Sequence, residues 1–367
     1  MNRILSCLKF LFFRCPKLVW ALFTKKKYLD KNETYYAELK QKGKLGIALD
    51  QLRHIFKWHQ LEQYYFLYGF DVKSYKSQKE YLDYSYFKKR RDYLNNHPNK
   101  YEIYSYTGIL RDKFYFSIFM EKLGFRIPKT IGLVTSDMVI FGKNNEIQSL
   151  ETMLSEPGKY ICKPLDGIGG IGIFLIEKLQ SGELLVDGVK ASYKDLQAKF
   201  SNARYFVQER IDKQHEKMSA LYPKSINTLR ITTVRDRKDN EIKLMGSMLL
   251  MGAGGSIVSN WHYGGVIINV KNDGSLDKYG FSLKKKKILS HPDTGVVFES
   301  FKVPYYDEAV KESIRCHKMF YGVHSVGWDF AILPDGVMFI EGNDNWGMAA
   351  HQMVSGGLKD KFDKYFK

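Results

Sequence analysis

Cysteine is scarce in this chain of 367 residues, with four copies at Cys7, Cys15, Cys162 and Cys316. None of them forms a CxxC pair, and no histidine cluster stands beside them at the spacing of metal ligands. The scarcity gives no support to a zinc site or a disulfide framework, and it is typical of proteins from the reducing cytoplasm. Because 44% of the residues are apolar, we expect a folded protein with two or three structural units.

Long apolar runs are also missing. The most apolar stretch, residues 4–23, is interrupted by Lys9, Arg14 and Lys17 and broken by Pro16, so it falls short of a transmembrane span. No small-residue cleavage site follows it, which argues against a signal peptide. Basic residues among Phe, Leu and Trp are typical of a helix that lies in the membrane interface, while a helix packed on its own domain is the alternative.

Acidic residues are too few to balance the basic ones, and the formal net charge is +17. Residues 1–105 alone carry 21 Lys or Arg against 10 Asp or Glu. Such an excess suits nucleic acid, an anionic membrane or a polyanionic substrate. Because the sequence contains no zinc finger, RRM signature or basic zipper, nucleic acid is not expected as a partner.

Residues 28–105 are rich in Tyr, Lys and Leu and poor in Gly and Pro, which indicates a mainly helical unit. One stripe at helical spacing predicts a face that packs in the core. It consists of Leu45, Leu49, Leu52 and Phe56. A further helix is predicted after Lys113, ending at Gly124, and from residue 159 the chain alternates predicted strands with glycine-containing turns.

A glycine-rich loop is predicted between two strands in residues 159–174. Four glycines within six residues let the backbone approach a ligand and point N–H groups at phosphate oxygens. They are Gly167, Gly169, Gly170 and Gly172. Lys163, on the strand before the loop, could reach the same phosphates. The pattern is neither a P-loop nor a Rossmann fingerprint, and an ordinary hairpin with an exposed lysine is the alternative.

Two further predicted strands carry polar groups. A nucleotide base could hydrogen-bond to the backbone where the strand 205–211 leaves its sheet, although the segment is equally an ordinary strand. Alternation in the other strand places Arg230 between Thr228 and Thr232 on one face. The planar fork of an arginine binds a triphosphate or a carboxylate well, and a cross-strand salt bridge is the alternative.

A hairpin is predicted near the C-terminus, where two apolar runs flank Pro334–Gly336 and favour a three-residue loop. In that register Asp329 faces Glu341, and side-chain alternation places Asn343 on the same face as Glu341. Three converging oxygen ligands favour Mg²⁺, which usually shares its coordination with substrate phosphates. A surface hairpin with two solvated acids is the alternative.

In this order, the lysine with its glycine loop, the arginine strand and the Asp…Glu-x-Asn hairpin resemble the ATP-grasp superfamily. More narrowly, the amino-acid sequence of four segments is similar to that of the sugar-transfer-associated ATP-grasp family. These segments are Val207–Glu209, Ser225–Arg230, Gly327–Asp329 and Glu341–Asn343. The resemblance covers residues 105–350, and the helical, aromatic first third is also typical of that family.

The resemblance implies an α+β fold, in which two α+β subdomains of an ATP-grasp domain enclose the nucleotide after a mainly helical N-terminal region. We accordingly expect a basic helical region over residues 1–104, with membrane contact as its potential role. The ATP-grasp domain is expected over residues 105–367.

The resemblance also implies roles for individual residues. The expected nucleotide-binding residues are Lys113, Lys163, Gly167, Gly169, Gly170 and Gly172, with Gln208, Glu209 and Ile211 at the adenine hinge. The expected Mg²⁺ ligands are Asp329, Glu341 and Asn343. Arg230 would stabilise phosphoryl charge and is, with Lys163, an expected catalytic residue.

The activity implied is that of an ATP-dependent carboxylate–amine ligase, which works through an acyl phosphate and serves surface-polysaccharide biosynthesis. Its substrate would be a sugar acid or an amino acid, free or linked to a nucleotide or lipid. Two alternatives stay open: a phosphotransferase with a hydroxyl acceptor and a non-catalytic, membrane-bound scaffold. The expected location is the cytoplasm, at the inner face of the membrane if the N-terminus binds lipid.

Overall fold

The fold is seen in a computed structural model, which describes residues 10–73, 76–97, 104–135, 138–141, 146–165, 171–201, 203–259, 261, 264–283 and 286–367. Within these ranges the chain is α+β with two antiparallel sheets and a helical N-terminal region. The fold class predicted from the sequence is therefore confirmed.

The described helices are α1 (Cys15–Thr24), α2 (Lys44–Trp58), α3 (Tyr84–Asn96), α4 (Thr107–Arg111), α5 (Lys113–Lys122), α6 (Leu150–Met153), α7 (Tyr193–Phe200), α8 (Glu216–Leu221), α9 (Tyr306–Met319), α10 (Met348–Ser355) and α11 (Lys359–Tyr365). In the described part of the chain no helix combines the length and the apolar character that crossing a bilayer requires.

The described strands are β1 (Thr130–Thr135), β2 (Met138–Phe141), β3 (Gln148–Ser149), β4 (Gly158–Pro164), β5 (Phe174–Lys178), β6 (Leu184–Val186), β7 (Val189–Lys190), β8 (Arg204–Glu209), β9 (Thr228–Arg235), β10 (Ile242–Met251), β11 (Val266–Val270), β12 (Gly280–Ser282), β13 (Lys286–Ile288), β14 (Ser325–Leu333) and β15 (Gly336–Asn343).

The first sheet has the order β3-β2-β1-β8-β4-β5-β6-β7. Strand β8 lies between β1 and β4, and Lys163 of β4 pairs with Phe206 of β8. One face of this sheet packs against α7 through Leu196 and Phe200, which join Val207 in a hydrophobic cluster. The sheet thereby places Lys163 directly beside the strand that carries Gln208.

The second sheet has the order β13-β12-β11-β10-β9-β14-β15. Every residue of β14 is buried, because the strand lies between β9 and β15 and its apolar side chains enter the main core. Trp328 and Phe330 of β14 join Leu229 and Ile231 of β9 there. Asp329 lies between Trp328 and Phe330 in the strand, so alternation turns its side chain to the opposite face of the sheet.

The hairpin of β14 and β15 differs from the predicted one at its turn. Leu333 pairs with Gly336, so the loop consists of Pro334 and Asp335, and the predicted three-residue loop is wrong. Gly336 has a φ of 137°, a conformation that glycine adopts readily. Because Gly336 accepts this conformation, the second strand begins one residue earlier than the sequence pattern predicts.

A register shift in the same hairpin compensates for the shorter loop. Phe330 pairs with Phe339, but its neighbour Asp329 pairs with Glu341, because the ladder is irregular between Asp329 and Phe330. Such a bulge inserts one extra residue on one strand. The predicted facing of Asp329 and Glu341 is confirmed, although it depends on a bulge that the sequence pattern does not predict.

The predicted core stripe on α2 is wrong for Leu45, Leu49 and Phe56, while Leu52 packs partly buried against a hydrophobic cluster. Leu45 is 75% exposed and Phe56 is 59% exposed. The residues of α2 that the fold buries are Ile47, Ala48, Gln51 and Ile55. Gln51 decides the orientation, because its amide donates to the Glu62 carbonyl at 3.1 Å and accepts from the Glu62 N–H at 3.0 Å. Helical spacing alone cannot show that a polar residue belongs to the inner face.

Packing within the chain divides it into two compact units. One unit contains Met1–Tyr93, Lys285–Lys287 and Gly347–Lys367, and the other contains Leu94–Lys284 and Ile288–Trp346. The first unit therefore includes the C-terminal helices α10 and α11. The functional division expected after residue 104 stays a prediction.

Candidate functional site

The centre of the candidate site is an ion pair between neighbouring strands. Arg230 of β9 and Asp329 of β14 are register partners. The guanidinium donates from Nε to Oδ1 and from Nη2 to Oδ2 of Asp329, each at 2.6 Å. Asp329 is buried, while the Arg230 side chain is 23% exposed. The cross-strand salt bridge considered from the sequence therefore forms, and it lies among the residues expected to bind metal.

Glu341 and Asn343 complete a set of oxygen donors beside Asp329. Glu341 is the register partner of Asp329 on β15, and the Asn343 side-chain amide donates to Glu341 Oε1 at 3.0 Å. The three expected metal ligands thus lie together on one face of the hairpin. Arg230 extends this group on the adjoining strand.

Burial raises the pKa of the Asp329 and Glu341 carboxyl groups, whereas the neighbouring Arg230 charge lowers it. Burial raises the pKa of Asp329 to about 6, against the lowering effect of the Arg230 charge. Burial also acts to raise the pKa of Glu341, but the Asn343 amide and the Arg230 charge hold this pKa below its ordinary value. Glu341 is therefore an anion at neutral pH, in direct electrostatic contact with Asp329.

Lys163 of β4 lies within the electrostatic influence of Glu341. Burial lowers the pKa of Lys163 to about 8, and the Lys113 charge adds to this effect while Glu341 opposes it. The Lys163 ammonium donates to Gln208 Oε1 at 2.8 Å. The described residues thus bring Lys113, Lys163 and Glu341 close enough to influence one another, although they come from different secondary-structure elements.

Lys113 begins α5, and the Asp112 carboxylate caps that helix by accepting from the Phe114 and Tyr115 N–H groups, each at 3.0 Å. The Lys113 ammonium donates to the Leu165 carbonyl at 3.3 Å. Leu165 is the last described residue before the predicted glycine loop. The cap therefore directs Lys113 to the beginning of that loop.

Gln208 does not face an open hinge. Its side chain is buried, and besides accepting from Lys163 it donates to Ser117 Oγ at 3.1 Å and to the Pro128 carbonyl at 3.2 Å. These contacts make Gln208 a support for the Lys163 ammonium. The sequence analysis missed Ser117, which lies four residues after Lys113 and hence on the same face of α5.

The other two hinge residues are placed at the end of β8. Glu209 is exposed, and its N–H donates to the Lys129 carbonyl at 3.0 Å, while Ile211 is half-buried. Their side chains are not brought into the polar cluster around Lys163.

The described residues include only part of the predicted glycine loop. Gly167, Gly169 and Gly170 lie outside the described residues. Gly172 has a φ of 75°, and a Cβ there would approach Pro164 Cγ to 2.9 Å. Gly172 is therefore required by the backbone where the chain enters β5.

The donor set suits Mg²⁺. Asp329, Glu341 and Asn343 offer only oxygen ligands, which hard cations prefer. Each Asp329 oxygen accepts one hydrogen bond from Arg230 and retains a further lone pair. The residues present therefore fit a magnesium ion shared with substrate phosphates.

The comparison of the sequence with protein families agrees with this arrangement. Residues 90–364 match the family described as sugar-transfer associated ATP-grasp. The chain belongs to this family. The ATP-grasp fold predicted from the motifs is thereby confirmed, and the family typically uses ATP with Mg²⁺. None of the curated proteins matches the chain.

Several solved structures are distantly similar to this chain. D-alanine–D-alanine ligase from Bacillus anthracis is 14% identical, with a TM-score of 0.38 over 71% of this chain and 68% of that one. N5-carboxyaminoimidazole ribonucleotide synthetase from Thermotoga maritima is 16% identical, with a TM-score of 0.36 over 65% and 43%. Biotin carboxylase from Campylobacter jejuni is 12% identical, with a TM-score of 0.40 over 70% and 46%. The chain thus spans less than half the length of the last two proteins.

Proposed function

We propose that this member of the sugar-transfer-associated ATP-grasp family is an ATP-dependent carboxylate–amine ligase. The observation that carries the proposal is the meeting of Lys113 and Lys163 with the oxygen set of Asp329 and Glu341, to which Arg230 is bound. This combination of cations and acidic metal ligands is what transfer of a phosphoryl group requires.

The reaction has two steps. A carboxylate oxygen of the acid substrate attacks the γ-phosphorus of ATP, which forms an acyl phosphate and releases ADP. The lone pair of an amine then attacks the acyl carbon, the C–O bond to phosphate breaks, and inorganic phosphate leaves as the amine loses a proton. Mg²⁺, when bound, would neutralise charge on the phosphate oxygens.

The protein's own residues would position the groups that react. Lys113 and Lys163 would hold the phosphates near the C-terminal end of β4. Arg230 would offer positive charge to the phosphoryl group while it keeps Asp329 in place. Gln208 would keep the Lys163 ammonium aimed at the phosphates, because its own amide is bound on both sides.

The family's association with sugar transfer supports a carbohydrate-related substrate. We propose a sugar acid or an amino acid as the carboxylate, free or linked to a nucleotide or lipid, in the biosynthesis of surface polysaccharide. The lysine-rich site suits an anionic substrate because positive charge raises its local concentration.

We further propose that the N-terminal helix rests on the inner face of the cytoplasmic membrane. Helix α1 packs through Cys15 and Leu22 into a hydrophobic cluster of its own unit. Several large apolar side chains remain exposed on α1 and on the short π-helical segment Phe10–Arg14 that directly precedes it. They are Leu11, Phe12, Phe13, Trp20 and Phe23. Residues 10–29 carry five basic residues and no acidic one, which complements an anionic lipid surface.

The ligase proposal is tested by trapping the acyl phosphate with hydroxylamine. Candidate acids are uronic acids, free or nucleotide-linked, and amino acids. A hydroxamate should form only when ATP, Mg²⁺ and the acid are present together. The Lys163→Met variant should lose it, whereas Lys159→Met should keep it, because Lys159 is 39% exposed on the same strand and pairs with Glu177 and Asp212.

Other outcomes would select the alternatives. ATP consumption with a phosphorylated hydroxyl product, and no hydroxamate with any acid, would show a phosphotransferase. Absence of ATP turnover under all conditions would favour the non-catalytic scaffold.

A further inference from the structure

A second polar cluster lies in the N-terminal helical unit. His54 is on α2, Glu62 is in the connection after that helix, and Asp83 directly precedes α3. The His54 Nε2 atom is 3.1 Å from Asp83 Oδ2 and 3.7 Å from Glu62 Oε2. The side chains of the three residues are 9%, 4% and 5% exposed in the order His54, Asp83 and Glu62. Three groups able to bind a metal therefore meet in the interior.

Each carboxylate is held by its other oxygen. Glu62 Oε1 accepts from the Tyr64 N–H at 2.9 Å, and Asp83 Oδ1 accepts from the Tyr86 N–H at 2.8 Å in the first turn of α3. These bonds leave Glu62 Oε2 and Asp83 Oδ2 directed towards His54 Nε2. The cluster is therefore preorganised by backbone contacts that do not depend on a ligand.

The Glu62 backbone is fixed as well. Gln51 binds both its N–H and its carbonyl, and this contact is the reason that a glutamine occupies the buried face of α2. Because the buried Gln51 side chain is hydrogen-bonded to the Glu62 backbone in both directions, it holds Glu62 in a fixed position.

The charges of the cluster of His54, Glu62 and Asp83 favour a bound cation. Two carboxylates are buried side by side, and within the described residues no lysine or arginine forms an ion pair with either of them. Burying both groups as anions without compensation is costly, and burial raises the pKa of Glu62 to about 7. His54 can supply at most one positive charge, and only when it is protonated.

We propose that His54, Glu62 and Asp83 bind one Zn²⁺ ion. Tetrahedral zinc with bonds of about 2.0–2.2 Å places its ligand atoms about 3.3–3.6 Å apart. The observed separations of 3.1 and 3.7 Å bracket that range. One imidazole nitrogen with two carboxylate oxygens suits zinc better than Mg²⁺, which prefers six oxygen ligands.

A fourth ligand can reach the ion from one side. A cavity of about 270 Å³ adjoins the cluster and is lined by Glu62 and Asp83 together with Gln60, Leu18 and Tyr28. Water can occupy this space. The Gln60 side-chain amide N–H donates to Asp83 Oδ2, and the same amide group rotated by half a turn presents its carbonyl oxygen instead. The ion would tie α2 to the start of α3 beneath α1, and would so brace the helix proposed to rest on the membrane.

The test measures zinc bound to the whole chain, after the metal has been removed with a chelator and the chelator dialysed away. We expect one equivalent of Zn²⁺ to bind and to raise the midpoint of thermal unfolding. Glu62→Gln should weaken binding at least about 100-fold, because loss of an outer partner alone costs 10–100-fold. Asp71→Asn is the matched control, since Asp71 is a buried acid of the same unit outside the cluster.

Two further measurements keep the result independent of folding and of the ATP site. Co²⁺ added to the unaltered chain should give the visible absorption of tetrahedral coordination, and Glu341→Gln should still bind one equivalent of Zn²⁺. Absence of stoichiometric zinc binding in the unaltered chain would overturn the proposal. Equal zinc affinity of Glu62→Gln and Asp71→Asn would also overturn it, and would leave a protonated Glu62 as the partner of Asp83.

Discussion

Arg230 binds both oxygens of the Asp329 carboxylate, and the two residues are register partners on adjacent strands. Arg230 therefore has two proposed roles: it orients Asp329, and it stabilises the phosphoryl group. Because Glu341 adjoins the same pair, substitutions at these positions should have distinguishable effects on metal binding and on turnover.

Glu341→Gln should raise the Mg²⁺ concentration needed for half-maximal ATP turnover by at least about tenfold, judged by the loss of metal affinity seen when even outer partners are removed. The amide keeps the shape of the side chain but removes one charge from the oxygen set. The measurement is turnover as a function of Mg²⁺ concentration, with thermal unfolding as a check on the fold. Glu312→Gln, in an ion pair with Arg315 on α9, is the control, and a normal Mg²⁺ requirement in Glu341→Gln would remove Glu341 from the metal site.

Arg230→Met should lower kcat by about 10²–10³-fold, the usual effect of losing one donor to developing negative charge. Its requirement for Mg²⁺ should not rise, since removing a positive charge from beside two carboxylates favours a cation there. Arg126→Met, which breaks an exposed ion pair with Asp335, should leave kcat within about twofold of normal. A raised Mg²⁺ requirement with unchanged kcat would mean that Arg230 serves only to orient Asp329.

ATP binding should weaken as the pH rises through about 8. Burial lowers the pKa of Lys163 to about 8, so above that pH the lysine loses the proton that attracts phosphate. If only the charged form binds, affinity should fall by up to about eightfold between pH 7.5 and pH 9. Equilibrium binding of a non-hydrolysable ATP analogue across this range measures the effect.

The pH dependence should move when the partner of Lys163 changes. In Gln208→Glu a negative group replaces the amide oxygen at 2.8 Å, which should raise the pKa of Lys163 and move the loss of affinity to higher pH. Lys163→Met should bind ATP weakly and without this pH dependence. The same pH profile in Lys163→Met and the unaltered chain would assign the titration to another group.

Serine at Phe12, Phe13 and Trp20 should reduce binding to anionic vesicles by more than tenfold, because full burial of each such side chain contributes about 1.5–3 kcal/mol. Binding that remains should weaken with salt. The matched control places serine at Ile147 and Val189, which are each 69% exposed in the other unit. Co-sedimentation with vesicles measures both, and unchanged binding after the aromatic substitutions would limit α1 to its packing role.

Much of the site could be predicted because its signals are local. The Asp112 carboxylate caps the helix that begins at Lys113 by accepting from N–H groups two and three residues later. Alternation along a strand decides that Asn343 and Glu341 share a face. These relationships act within a few residues, so the sequence contains them directly. Helix α2 shows the limit of such prediction. Two of its faces carry apolar residues, and the hydrogen bonds between the Gln51 side chain and the Glu62 backbone determine which face is buried.

The sequence by itself determined which residues are available for the proposed chemistry: two lysines, a glycine loop and an Asp…Glu-x-Asn hairpin, in an order that resembles the family. Tertiary structure alone decided the contacts that join distant segments. The bulge at Asp329 restored its pairing with Glu341 after a shorter turn, Gln208 was buried beneath Lys163, and His54 met Asp83 across 29 residues. Such contacts depend on how strands and helices pack, because a buried polar group takes whichever partner the fold brings within reach.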